Sequence, residues 1–544
     1  MKRKLLTLGV ALIFTLSATL SAFAAANPAK IITRNWTNFR GNQSHNAVVS
    51  DKLPTSAENA ALYWATKAGE GYGDGAIGSP ILVDGYLYFN QGKKIKKMDA
   101  MSGKVVATGK MVERSNFSII PPTYGDGKIF VGLANGRIQA FDAKTLKSLW
   151  VYQDKLKGQP NSPITYYKGY VYTGFWNSET RIANFACVSA KDGNTKKTTE
   201  KKSARWVYPN AGGYYWAGAY VSDNFVLVGT DDGDGGYTSQ TSRLLSLSPK
   251  TGKKIDSIEG LNADIRSNVS YDKVTDRYYF TSKGGSFYSV KVSKTGKLSD
   301  LKELDLGGMS TSTPAIYNGR AYVGVSGKGQ FDKYNGHRIA VIDLASFTIA
   351  YTASCMGYPQ TSGLISTAYE KSEGYVYVYF FENMTPGKLR YLKDKPGQTE
   401  VVDAVTETAA DAKTYTCAPV LFTPQQEQAQ YAICSPICDE YGTIYFKNDS
   451  AHMMALGSKI TSIKVTKQPK KTVYQAGEKF SKTGMKVTAY LANGKKKDIS
   501  QYVTVSTFPL KKGTRDITVY YQYQLYNDME QCDTLFTSVD ITVK

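Results

Sequence analysis

PPTYGDGKIFVGLANGRIQAFDAKTLK, residues 121–147, is the stretch on which the fold turns. A short segment runs into Asp126-Gly127, and an alternating apolar run, Lys128–Leu133, follows it. Asn135-Gly136 then separates that run from Arg137–Asp142. Asp-Gly and Asn-Gly between alternating apolar runs are the strongest short signal for a β-hairpin, because the turn needs two residues at positive φ. The segment is therefore a string of short antiparallel strands.

The same grammar recurs on either side. Residues 79–104 and 162–193 repeat it, and the anchors Pro80, Pro122 and Pro163 stand 42 and 41 residues apart. A Thr-Gly-Lys-like turn closes each copy and leads to a strand that often carries Trp, as in Ser148-Leu149-Trp150. Four strands in about 42 residues is the size of a propeller blade. Weaker copies cover 218–253, 267–297, 312–346, 366–394 and 434–458, which makes eight. The last lacks a fourth strand, whereas Ala61–Thr66 stands as an orphan fourth strand before the first. Pairing the two would close the ring and remove exposed sheet edges. The expectation is an all-β chain: an eight-bladed propeller over 35–458, with seven blades as the alternative. Forty tyrosines and 49 glycines agree with many half-buried strands and tight turns.

The repeat resembles the quinoprotein-type, pyrroloquinoline-quinone-like β-propeller repeat. The leader Trp36-Thr37-Asn38-Phe39-Arg40-Gly41-Asn42 is similar to the W-x-x-F-R-G-D/N opening that precedes such propellers. The resemblance invites the reading of a quinone-dependent dehydrogenase, whose members share a vicinal Cys-Cys ring, a Trp on the other face of the quinone, and a calcium held by Glu and Asn beside an Asp base. This chain has no adjacent cysteines and is short for that class. Since a fold does not carry function with it, the expectation is no catalysis, no quinone and no required metal. A quinone-dependent oxidoreductase is one alternative. A carbohydrate-active enzyme is another, and it would need two carboxylates about 5–10 Å apart at the channel mouth. No GxSxG triad order and no HExxH motif occurs.

From Ile460 the pattern changes. Short alternating runs such as Ile463–Val465 and Met485–Ala489, with a turn at Asn493-Gly494, indicate a β-sandwich over 460–544. The run from Ile460 to Ile499 resembles a bacterial Ig-like module, which implies a spacer or adhesion role.

The first 26 residues have a basic start (Lys2, Arg3, Lys4), an apolar stretch and small-x-small sites, the pattern of a cleaved signal peptide. No second long apolar run follows, so no transmembrane segment is expected in the mature chain. Export to the cell surface or medium is expected. The six cysteines are too sparse for a disulfide scaffold. Cys434 and Cys438 would lie roughly 13 Å apart along a strand, too far to bond each other. Buried thiols or a bridge to Cys417 are the expectation. The net charge of +21 is spread over turns such as KKIKK (93–97), and no nucleic-acid-binding motif accompanies it. Cell-wall polymer, glycan or protein is the expected class of partner.

Turns after strands one and three are short, whereas connections after strands two and four expand, so the elaboration is expected on one face. Candidate ligand contacts on that face are Tyr72, Asp74, Asn116, Tyr214, Tyr215, Trp216, Asp232, Asp234, Arg266, Tyr358 and Gln360. Aromatic rings beside amides suit sugar rings or peptide segments. The loop TDDGDGG (230–236) looks like a calcium loop, but counting from Asp232 puts Gly236 at position 5 and Arg243 at position 12, so the EF-hand pattern fails. It is better taken as an enlarged loop with an optional calcium.

Overall fold

The computed structural model describes residues 35–70, 74, 78–115, 121–234, 241–328, 330–525 and 528–544, with side chains 524–532 left aside. These residues belong to one compact unit. The expected signal segment lies outside them. No helix among the described residues is long and apolar enough to cross a membrane.

Residues 121–147 form the strands the turn residues dictate: Thr123–Gly125, Lys128–Leu133 and Arg137–Asp142, with Ser148–Gln153 completing the sheet. Asp126 and Gly127 take φ 51° and 70°, and Asn135 and Gly136 take 59° and 68°. These paired positive values give the tight reversal that matches strand twist. Among the described residues, eight successive sheets share this four-stranded antiparallel order. The first strands of sheets one to four, and those of sheets five to seven, lie side by side, as in a propeller. Ala60–Lys67 pairs antiparallel with His452–Ser458, so the N-terminal strand completes the C-terminal sheet.

The repeat's Thr-Gly-Lys and Trp are one device. A strand-four Trp lies against the next sheet and donates its indole N–H to a carbonyl there. Trp64 reaches Ala100 O at 3.2 Å, Trp150 reaches Ala190 O at 3.3 Å and Trp206 reaches Pro249 O at 3.0 Å. The turn glycine makes room for the ring. A Cβ at Gly252 would stand 2.6 Å from the Trp206 ring, and one at Gly103 would stand 2.6 Å from Trp64. Each of these three junctions thus buries an indole whose one polar group is satisfied.

The leader crosses the other end of the channel. Trp36 pairs with Leu82 and donates to Cys438 O. Thr37 O accepts from Tyr124 N, Ser44 O from Tyr271 N, and Ala47 O from Ile365 N. Arg40, 2% exposed, donates to the carbonyls of Gly363 and Pro436. Burial lowers its pKa to about 9. One segment therefore ties inner strands from distant parts of the ring and holds the channel floor.

The elaboration is not confined to one face. Two long excursions leave after strand three. In the third sheet, residues 190–203 carry Glu200–Lys202, which pairs in parallel with Trp150–Tyr152 of the second. In the seventh, a hairpin of Val405–Thr408 and Thr414–Cys417 reaches back to Ser354 of the sixth. Both cover the outer edge of the preceding sheet, which turn chemistry alone does not announce. Cys187, Cys355, Cys417, Cys434 and Cys438 are buried free thiols, the first of the two expected arrangements; none of them forms the alternative bridge to Cys417.

The C-terminal strands Ile460–Lys467, Lys486–Leu491 and Lys496–Asp498 form one sheet. Asp516–Leu525 and Asp528–Asp540 belong to another. Their core is continuous with the closing sheet of the propeller. Tyr63 meets Tyr523 edge-on at 6.1 Å, and Tyr502 donates to Asp99 Oδ2 at 3.0 Å.

Candidate functional site

A cavity of about 600 Å³ opens at the mouth of the channel. Its described lining comes wholly from connections that follow strands two and four. The rings of Trp216, Phe331, Tyr358 and Tyr431 supply apolar faces, and Gln360, Asn383 and Gln430 supply amides. Asp449 contributes a carboxyl, and no Lys or Arg occurs among the described lining residues.

Backbone pairing fixes this wall. Tyr358 N donates to Phe331 O at 2.8 Å, and Asn383 N donates to Tyr358 O at 3.0 Å. The Tyr358 hydroxyl accepts from Thr311 N at 2.8 Å, and the residue is 2% exposed. Pro359, next to it, presses its carbonyl towards Gly324, where a Cβ would come within 1.7 Å. Phe331 and Tyr431 meet at 5.7 Å and 60°, and the Tyr431 hydroxyl donates to Asp332 Oδ2 at 3.0 Å.

Asp449 sits in the turn between Ile444–Lys447 and His452–Ser458. Burial pushes its carboxyl up to about 6, against the pull of Lys447. Burial also lowers the Lys447 ammonium to about 8, and that group donates to Gln91 Oε1 at 2.9 Å. Asp449 Oδ1 and Asn383 Oδ1 are buried oxygens without a hydrogen-bond partner. Buried acceptors of this kind are uncommon and costly.

Beneath the cavity a narrower space is lined by Trp216, Arg266, Gln360 and, from the leader, Phe39. Arg266 is the hub of an ion cluster. Its Nη2 lies 2.5 Å from Glu179 Oε2, 2.7 Å from Asp231 Oδ2 and 2.9 Å from Asp264 Oδ2. The three carboxylates are close enough together to suit a cation. Here they surround the guanidinium, with Lys283 Nζ 3.9 Å from Asp264. Burial raises both Asp231 and Asp264, the latter to about 6, and Arg266 opposes the rise.

The sequence-derived candidates divide accordingly. Tyr358 and Gln360 line the cavity, and Trp216 lines both spaces. Tyr215 packs between Trp176 at 4.9 Å and Trp216 at 4.7 Å, beneath the Arg266 guanidinium at 4.5 Å. Tyr214 is not a surface contact. It is fully buried, edge-on to Phe185 at 5.4 Å, because a phenol between two sheets fills core space. Asp232 is 8% exposed; its N–H donates to Asp264 Oδ1, and its Oδ1 accepts from Asp234 N at 2.7 Å. Asp234 is exposed. Asp74 is engaged by Gln91 at 2.9 Å and Glu70 N at 2.7 Å. Tyr72 and Asn116 lie outside the described residues. Sequence reasoning missed Phe331, Asn383, Tyr431 and Asp449. Phe331 stands in a connection after strand two, and applying the strand-two and strand-four rule to residues 326–337, 382–388 and 423–436 finds Phe331, Asn383 and Tyr431.

Comparison with known proteins matches this architecture. The family model described as outer membrane protein assembly factor BamB matches residues 54–205, and that of the bacterial Ig-like domain, group 3, matches 467–527. The dehydrogenase subunit of a quinone alcohol dehydrogenase from Gluconobacter oxydans (strain 621H) is 26% identical over 242 residues. That match covers 41% of this chain and 29% of the relative. The Acetobacter aceti subunit of the same description is 25% identical over 247 residues, 42% of this chain and 30% of its own length. The chain thus spans under a third of either relative. The crystal structure of quinohemoprotein alcohol dehydrogenase from Comamonas testosteroni superposes with a TM-score of 0.53 at 14% identity, covering 84% of this chain and 83% of that one. That likeness is one of fold. The chain is a β-propeller protein of PQQ-like repeats that carries a bacterial Ig-like domain.

Proposed function

We propose that this chain is a non-catalytic binding protein, exported to the bacterial surface, whose mouth cavity holds a glycan segment of a wall polymer. Its eight sheets act as the blades of a closed ring, and the Ig-like domain acts as a spacer. The observation that carries the proposal is the cavity's lining: four aromatic rings, three amides and no cationic side chain among the described residues. Aromatic faces cover the apolar faces of a sugar, and amides meet its hydroxyls. The leader holds the far end of the channel, which suits a blind pocket better than a passage.

The curated relatives favour a second reading, a quinone-dependent oxidoreductase. The residues present do not fit that cofactor. The quinone carries carboxylates, yet the described cavity lining offers a carboxyl and no cation. The carboxylates that could take a calcium are engaged by Arg266 at 2.5–2.9 Å. None of the described cysteines lines the cavity.

Calorimetry with an N-acetylglucosamine hexamer tests the proposal. Phe331 is 48% exposed, so Phe331→Ala with Tyr431→Ala should leave the fold intact. Wild type should bind, and the double variant should lose about five- to 150-fold, since each ring contact contributes roughly 0.5–1.5 kcal/mol. Equal binding by both proteins, or dye-linked alcohol oxidation after addition of the quinone and calcium, would overturn it.

A further inference from the structure

The cavity wall says more about the ligand than that it is a sugar. Two of its described oxygens lack a hydrogen-bond partner. Asp449 Oδ1 and Asn383 Oδ1 are both buried without partners, and Asn383 as a whole is 6% exposed. No lysine or arginine among the described lining residues answers them from inside the cavity. Four rings stand around the same space, and ring faces attract cations. A donor that reaches these oxygens would satisfy them, and a charged donor beside the Asp449 carboxylate would gain most.

We propose that the mouth cavity selects an ammonium-bearing ligand, an amino sugar with a free amine, seated against Asp449 among the rings of Trp216, Phe331, Tyr358 and Tyr431. This inference rests on the glycan reading of the same cavity. A free amine brings three donors and a charge to the side of the cavity that Asp449 lines, whereas an N-acetylated amine brings one donor and no charge. The carboxylate also turns away anions, so a phosphate- or carboxylate-bearing sugar is disfavoured at this position. Burial, which raises the Asp449 carboxyl, would be offset by an adjacent ammonium. The chain's overall charge works against a polycation at long range. A preference for amines would therefore have to come from the cavity itself.

The test is calorimetry at pH 6.5, where the sugar amine and the Asp449 carboxyl both carry charge, in 0.15 M salt with two probes, a chitosan hexamer and the fully N-acetylated hexamer, on wild type and Asp449→Asn. The account expects the free-amine hexamer to bind wild type about tenfold or more tighter, a gap typical of one charge contact and one ring contact. Asp449→Asn should erase that gap by lowering the free-amine probe's affinity more than the acetylated probe's. Equal affinities in wild type, or a gap that survives Asp449→Asn, overturn the amine inference and leave the glycan reading standing. Failure of both probes to bind a folded wild type overturns the two together. Circular dichroism of the variant guards against a folding defect, and Asp449→Glu, which keeps the charge, should recover part of the preference.

Discussion

Arg266 is the residue on which the channel's electrostatics turn. It is 6% exposed and meets three carboxylates, two of them fully buried. Replacing it by Leu strands those charges, and breaking a buried pair from one side costs about 3–5 kcal/mol. Urea unfolding of Arg266→Leu should show a loss of that size, and a loss under 1 kcal/mol would mean that the carboxylates find other partners. Asp449 gives a pH signature. Its carboxyl is raised to about 6, so it is charged above that value and neutral below. The sugar amine titrates near neutrality, so the account expects amine-hexamer affinity to fall as pH drops from 6.5, where both charges are present, to 5, where the carboxyl is neutral, with the acetylated hexamer unaffected. Lys447, the charged group acting on it, stays protonated over that range. The sequence displayed Arg266 and the aspartates of residues 230–236 as separate features. It could not show that the arginine sits where a cation would, because residues 179, 231, 264 and 266 meet only after three sheets have formed. Asp449 was hidden for the same reason, as an aspartate in an ordinary Asn-Asp-Ser turn.

At the scale of elements, the repeat was legible because its turn chemistry is local. Asp-Gly and Asn-Gly set positive φ without help from tertiary contacts. The closing strand Ala60–Lys67 was legible too, since an unpaired strand at each end of an array has one economical solution. The two excursions after strand three were not, because they pair in parallel with a preceding sheet and carry no turn signal of their own. The Trp and the turn glycine make one joint, which yields a prediction. Trp206→Ala should cost about 3–5 kcal/mol in unfolding free energy, as buried indoles do. It should also speed hydrogen exchange around residues 248–253, where the ring docks. Unchanged exchange there would show that the joint is not held by the indole.

For the molecule as a whole, the ring and the Ig-like domain share a core rather than a linker. Tyr63 and Tyr523, Tyr502 and Asp99, and Lys497 with Asp439 at 3.7 Å join them. Such a joint would hold the cavity at a fixed attitude to whatever the domain contacts. The central claim is that the mouth cavity is where this protein meets its ligand. Hydrogen–deuterium exchange of the full chain, with and without the chitosan hexamer, tests it most directly. The account predicts slowed exchange confined to the connections around residues 358–360, 383 and 430–433. Protection confined to residues 460–544, or none at a hexamer concentration that saturates calorimetric binding, would contradict it.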